Sequence, residues 1–366
     1  MVDMSQEMPL NHFVAANGST SKEQELWLQQ LEGLYFSVQP ALSWALVGTG
    51  FIGSIGNILT IIVFARIGWS NTFQVSCTAL AVSDLCCLLS IAMAGITTMG
   101  VLGRNFNEST FYYISNIFGV AFSRTTALIT AWISFERCLC VTFPTRVKLI
   151  VTRTVTKSVL LAIFTVNCLL IVSTIVSFRV RNSIDRQTNM TLMDEEQPKL
   201  NGFRQFIKLL VGVIFPAFCW ISVTISTAFL IVKLKQYSTW RRLNAATSTI
   251  WTTQTRNVNA SQIHSLPIKE RRAMKMVAAV AGIFLICLTP TSVHLLVSFL
   301  VRDYFVDGSL SYLFKLDAMV CLLATQINSS INLVVFTILG HNFRSELFRL
   351  FSGGLSTRCY GCCSTR

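Results

Sequence analysis

At 366 residues, 52% hydrophobic and only 13% charged, with a mean hydropathy of +0.56, the chain is too apolar for an ordinary pair of soluble domains. Its net charge of +13 would suit a nucleic-acid binder. The charges, however, gather in short stretches between long apolar runs, the pattern of a chain solvated by membrane lipids, and this excludes nucleic acid as a partner.

Residues 1–40 read as a polar N-terminal tail. They hold no basic-then-apolar leader, so the first apolar run is expected to act as its own uncleaved insertion signal. Crossing the ~30 Å hydrocarbon layer as a helix takes roughly 20 apolar residues. Seven runs qualify, at about 41–65, 72–98, 111–140, 155–178, 206–233, 274–301 and 314–339. Lipid cannot satisfy an unpaired backbone, and the alternating segments of a barrel are absent. The expected fold is therefore an all-α membrane protein, a seven-transmembrane helix bundle spanning 41–339. Residues 234–269, rich in Ser, Thr, Asn and Arg, read as a flexible third cytoplasmic loop. After the seventh span, Phe343, Leu347, Phe348 and Phe351 recur on one face of an amphipathic eighth helix, 341–351, lying on the membrane surface. A cytoplasmic tail, 352–366, ends the chain.

Orientation follows from Lys and Arg. With the N-terminus extracellular, the inner segments hold 19 basic residues against three acids, Glu136, Glu270 and Glu346. The outer segments hold 10 basic and 13 acidic residues. This is the positive-inside bias, and it accounts for the global charge without nucleic acid. The sequons at Asn17, Asn107 and Asn189 fall on the expected outer side, where they would be glycosylated. Cys359, Cys362 and Cys363 follow the eighth helix, a juxtamembrane position suited to S-palmitoylation; a zinc site there lacks a fourth ligand.

Ionisable groups inside a span are costly and point to function. Asp84 sits mid-span in Leu-Ala-Val-Ser-Asp-Leu. Asn57, Thr126, Asn328, Ser329 and Asn332 are polar groups that other spans can turn toward it. Their oxygens suit a small hard cation such as sodium, and the alternative is a protonated Asp84 in a hydrogen-bond network. No other cofactor is expected. Arg124 lies mid-span in the third run, where a buried cation needs an anion such as a ligand carboxylate, and Asp317 sits too near the outer end to supply it; the alternative is snorkelling or a hydrogen bond to helix carbonyls. Gly48-x-Gly50-x-x-Gly53 imitates a dinucleotide fingerprint. It lies inside an apolar span, where close helix approach is the better account. With no metalloprotease or P-loop signature and a single mid-membrane carboxylate, the chain is not expected to be an enzyme.

At the inner end of the third span stands Phe135-Glu136-Arg137-Cys138. It resembles the Glu/Asp-Arg-Tyr motif of rhodopsin-like (class A) G-protein-coupled receptors, with Cys in place of the aromatic. Further likenesses follow in order: Gly56-Asn57, Leu80-Ala81-Val82-Ser83-Asp84, Pro216, Phe284…Cys287-Leu288-Thr289-Pro290, and Asn332-Leu333-Val334-Val335-Phe336. The resemblance implies a cell-surface receptor in the plasma membrane that binds an extracellular ligand and activates a heterotrimeric G protein. It implies that Arg137 pairs with Glu136 and with Glu270 as an ionic lock. Phe284, Cys287, Pro290, Asn332 and Phe336 would be switch residues, and a ligand site would form around Gly119, Ser123, Arg124, His294 and Gln326. The proline at 290 lets the inner half of the sixth helix swing.

The chain also departs from the family pattern. Leu288 stands for the span-six Trp, Leu333 for the span-seven Pro, Phe336 for the Tyr, and Thr224 for the span-five Tyr; Tyr112 takes the cysteine position atop span three. All 12 cysteines fall in spans or inner segments, so no outer disulfide is expected. Gly119 in place of an aminergic Asp, and Gln326 in place of the opsin Lys, exclude monoamines and a retinal Schiff base. A peptide, a small chemosensory compound or a lipid remains. The run from Glu136 to Pro144 is similar to divergent invertebrate chemosensory or peptide receptors. A transporter or channel, the alternative function, would show inverted repeats or a charged pore, and the chain has neither.

Overall fold

A computed structural model of the chain describes residues 11–100, 108–143, 147–177, 183–184, 191–192, 202, 206, 209–250, 268–301, 303–304 and 308–352. Eight principal helices follow one another: α1 (Asn11–Ile67), α2 (Thr72–Thr98), α3 (Glu108–Thr142), α4 (Arg153–Ser177), α5 (Phe215–Ile250), α6 (Ile268–Leu300), α7 (Ser311–Leu339) and α8 (His341–Phe351). A helical turn, Val147–Ile150, lies between α3 and α4, and a π-helical turn, Leu210–Ile214, leads into α5. Two-residue strands β1 (Ser183–Ile184) and β2 (Thr191–Leu192) pair antiparallel between α4 and α5.

Helices α1 to α7 each contain a stretch long and apolar enough to cross a membrane. They close into a ring in which α2 packs between α1 and α3, and α7 touches α1, α2 and α6. Helix α3 is central, contacting α2, α4, α5 and α6. The outward faces are apolar: Phe51, Ile52, Leu161, Leu169 and Ile286 are all exposed. Such a surface suits hydrocarbon and no other solvent.

Lipid removes the hydrophobic gain from helix association, so tight contact and hydrogen bonds must hold the ring together. Small residues permit that contact. A Cβ on Gly53 would lie 2.1 Å from Ser330 Oγ, and one on Gly50 would lie 2.6 Å from Ala92 Cβ. These glycines let α1 press against α7 and α2, which is the role of the dinucleotide-like run. The largest apolar core lies at the α8 end. There Phe64, Phe336 and Phe343 meet with ring centroids 5.2–5.7 Å apart and tie α1, α7 and α8 together. The α7–α8 turn needs Gly340, because a Cβ there would sit 2.5 Å from the Phe336 carbonyl oxygen.

Two helices run far beyond the expected spans. Helix α1 starts at Asn11, within the segment expected as a tail. The Tyr312 hydroxyl donates to Glu32 Oε1 at 2.7 Å, and Tyr35 and Phe36 pack on the Tyr312 ring, so α7 supports the extension. Helix α5 continues to Ile250, through the first half of the segment expected as a flexible loop; residues 251–267 lie outside the described ones.

Candidate functional site

Midway through the bundle, α2, α3 and α7 meet at the fully buried Asp84. Thr126 and Ser329 donate hydroxyl hydrogen bonds to Asp84 Oδ1 at 2.8 and 2.9 Å, and Asn332 Nδ2 donates to Oδ2 at 2.7 Å. Asn57 joins at one remove, donating to the Ser329 backbone carbonyl at 2.9 Å. Its own Oδ1 is buried without a partner among the described residues. Asn328, expected beside these groups, makes no hydrogen bond to the carboxylate among the described residues.

Toward α8, Arg137 donates to Glu136 Oε1 at 2.6 Å, and the Thr72 hydroxyl donates to the same oxygen. Glu136 is fully buried and Arg137 is 9% exposed. The Arg137 guanidinium lies 5.1 Å over the Phe73 ring. Glu136 Oε2 and Arg137 Nε have no hydrogen-bond partner among the described residues. Each such unmade bond raises the cost of this buried conformer by about 1–3 kcal/mol. Both side chains line a cavity of about 660 Å³, bounded also by Arg153, Arg272 and Met276. Cys138, in place of the aromatic, bridges α3 to α5 through the Ser226 carbonyl at 3.2 Å.

At the opposite end a second cavity, of about 190 Å³, opens between α3, α5, α6 and α7. Gly119, Ser123, Arg124 and His294 line it, with Pro216 and Leu288. Arg124 is half-buried and makes no ion pair or hydrogen bond among the described residues. Asp317 does not serve it, and is engaged instead with His294 Nδ1 at 3.0 Å and the Tyr304 hydroxyl at 2.5 Å. Burial, and then the adjacent Asp317, push the Tyr304 phenol above its ordinary pKa, so it stays a donor.

Residues 56–336 match the family model described as 7 transmembrane receptor (rhodopsin family). The chain belongs to that family. No curated protein matches it significantly. The receptor is thus a multi-pass membrane protein of a family that signals through G proteins and responds to ligands; the family is not enzymatic.

The receptor's expected site residues fall into three layers. Gln326 is a correction: it was expected at the ligand site, yet it turns away from the cavity. Its Oε1 accepts from Thr49 Oγ1 at 2.6 Å and its Nε2 donates to the Leu88 carbonyl at 3.4 Å, so it cements α7 to α1 and α2. Thr325, its neighbour, lines the cavity instead. Phe284 is buried against Ala127, Cys219 and Val223, with Leu288 packed on the same cluster where the family carries Trp. Cys287 is half-buried and Pro290 is exposed within α6. Phe336 packs as a pure hydrophobe, which is all that a tyrosine without its hydroxyl can do. Glu270 lies on α6, but its side chain falls outside the described residues, as does that of Asn17 on α1. Asn107, Asn189, Cys359, Cys362 and Cys363 also lie outside them. No disulfide joins any two of the nine described cysteines. Sequence reasoning missed Thr72, Phe73, Tyr304 and Cys321; no motif marks them, and only the packing of the helices brings them in.

Proposed function

We propose that this receptor, with its N-terminus extracellular at the plasma membrane, takes a small anionic ligand into the cavity lined by Arg124. Occupancy then favours a conformer in which Arg137 leaves Glu136 and a heterotrimeric G protein docks at the α8 end. One observation carries the ligand reading: a half-buried guanidinium in largely apolar surroundings without a counter-charge among the described residues. A cation held away from water is costly until an anion joins it. A ligand carboxylate would meet the arginine fork with two parallel hydrogen bonds.

The volume of about 190 Å³ is smaller than the roughly 300–1,000 Å³ of drug-sized pockets. It favours a small chemosensory compound, or the carboxyl end of a peptide, over an inserted peptide chain. Lys269-Glu270 at the start of α6 supplies the second partner of the Arg137 lock. Asp84 with the Thr126 and Ser329 hydroxyls would supply oxygen ligands suited to sodium, and Asn57 Oδ1, without a partner among the described residues, is a further candidate. Asn17, Asn107 and Asn189 carry the glycans, and Cys359, Cys362 and Cys363 the lipid.

The test is a screen of small carboxylates against cells expressing the receptor with a promiscuous G protein. For any compound that activates, Arg124→Leu should raise the half-maximal concentration at least about tenfold, the equivalent of 1.4 kcal/mol. Arg124→Lys should recover part of it. Unchanged potency in a well-expressed Arg124→Leu receptor would refute this ligand site.

A further inference from the structure

The wall of the Arg124 cavity carries a second constellation, which shares His294 with the cavity lining but does not involve Arg124. Helix α7 presents Asp317 and Cys321 one turn apart, hence on one face. Helix α6 brings His294 against them, and the α6–α7 loop folds Tyr304 back over the group. The His294 imidazole, an Asp317 carboxylate oxygen and Cys321 Sγ all lie within 4.8 Å of one another. His294 and Cys321 are 7% and 4% exposed, while the Asp317 side chain is 40% exposed and leaves a way in from solvent. Phe314 packs on the imidazole with centroids 4.8 Å apart and fixes its plane.

We propose that His294, Asp317 and Cys321 bind one divalent transition-metal ion of the zinc class. Nitrogen, oxygen and sulfur in a single set do not suit calcium or magnesium, which want oxygen alone. Thiolate with imidazole is the donor chemistry of zinc and its borderline neighbours. Zinc bonds to nitrogen and oxygen are about 2.0–2.2 Å and to sulfur about 2.3 Å, so tetrahedral ligand atoms stand roughly 3.3–3.7 Å apart. The present 3.0 Å between His294 Nδ1 and Asp317 Oδ2 need open only slightly, with Cys321 drawing in. Three protein ligands leave a fourth position for water or a small molecule, as in zinc sites that are not purely structural. His294 and Cys321 both line the cavity, so the metal site adjoins it.

Binding converts the Cys321 thiol to thiolate and releases its proton to solvent, so affinity rises with pH. The Tyr304 hydroxyl, now donating to Asp317 Oδ2 at 2.5 Å, gives up that bond to the metal. The ion would clamp α6 to α7 at the end remote from α8. The proposal does not rest on the Arg124 reading and stands if no carboxylate activates the receptor.

The experiment titrates cobalt(II), a spectroscopic stand-in for zinc, into the purified full-length receptor with Cys359, Cys362 and Cys363 changed to Ser. A thiolate-to-cobalt charge-transfer band saturating at one ion per receptor, and bleached by added zinc, is expected. Cys321→Ser should abolish the band, and His294→Gln and Asp317→Asn should each weaken binding at least tenfold. Asp317 is the least buried ligand, so Asp317→Asn serves if Cys321→Ser does not fold. No band in the parent receptor, or an equal band in Cys321→Ser or Asp317→Asn, overturns the site.

Discussion

Asp84 illustrates how a costly residue is accommodated. Its carboxylate would be intolerable alone in the membrane interior, yet α3 and α7 aim two hydroxyls and an amide at it. Substitution by Asn keeps an acceptor for Thr126 and Ser329 but sets an amide NH₂ against Asn332 Nδ2, two donors face to face. Asp84→Asn is therefore expected to reach the cell surface and to lose sodium sensitivity. Replacing sodium by potassium in a ligand-binding assay should change affinity in the parent receptor and not in the variant; equal sensitivity in both would count against a sodium ion at this carboxylate. Asp84, Arg124 and the Glu136–Arg137 pair were legible in the sequence because charge inside an apolar run announces itself. The place of Gln326 along α7 says nothing about which neighbour it faces, and only the packing turns it to Thr49 and the Leu88 carbonyl. The Thr72 bond to Glu136 left no sequence trace, since a threonine at a helix start is commonplace.

Helices were legible where lipid dictated them and obscure where only contacts hold them. Runs of roughly 20 apolar residues follow from bilayer thickness, whereas the N-terminal extension of α1 depends on a tyrosine of α7 reaching Glu32. Periodicity in one segment cannot reveal that. Close approach of α1 to α7 makes a paired prediction possible. Gly53→Val drives a side chain into Ser330 and Leu88, where a Cβ alone would sit 2.1 and 2.9 Å from their atoms. Overpacking of this kind costs about 1–3 kcal/mol. The same change at Gly48, with nothing within 4 Å, should be nearly neutral. Unfolding midpoints of the detergent-solubilised variants measure the difference, and equal shifts would contradict the close-packing role assigned to Gly53. In α6, Pro290 removes a backbone donor between the buried Phe284 and the cavity residue His294, so a bend there moves the α8 end relative to the cavity.

Across the molecule the layers are stacked on α3: Arg124 at the cavity remote from α8, Thr126 at Asp84, then Glu136 and Arg137 beside the cavity at the α8 end. One helix thus touches all three, and a ligand that shifts it acts on the latch without any long-range wire; the shift must still favour one conformer by its own binding energy. The strength of the proposed Glu136–Arg137 latch rests on a charge that can be removed with little change of shape. Glu136→Gln keeps an acceptor for the Thr72 hydroxyl while weakening the 2.6 Å contact with Arg137. Loss of about 1 kcal/mol or more changes the conformer ratio roughly fivefold or more. The direct measurement is ligand-free nucleotide exchange on a purified heterotrimeric G protein, driven by the reconstituted receptor. The variant should exchange several times faster than the parent receptor; an equal or slower rate, at equal folded amounts, would contradict the latch.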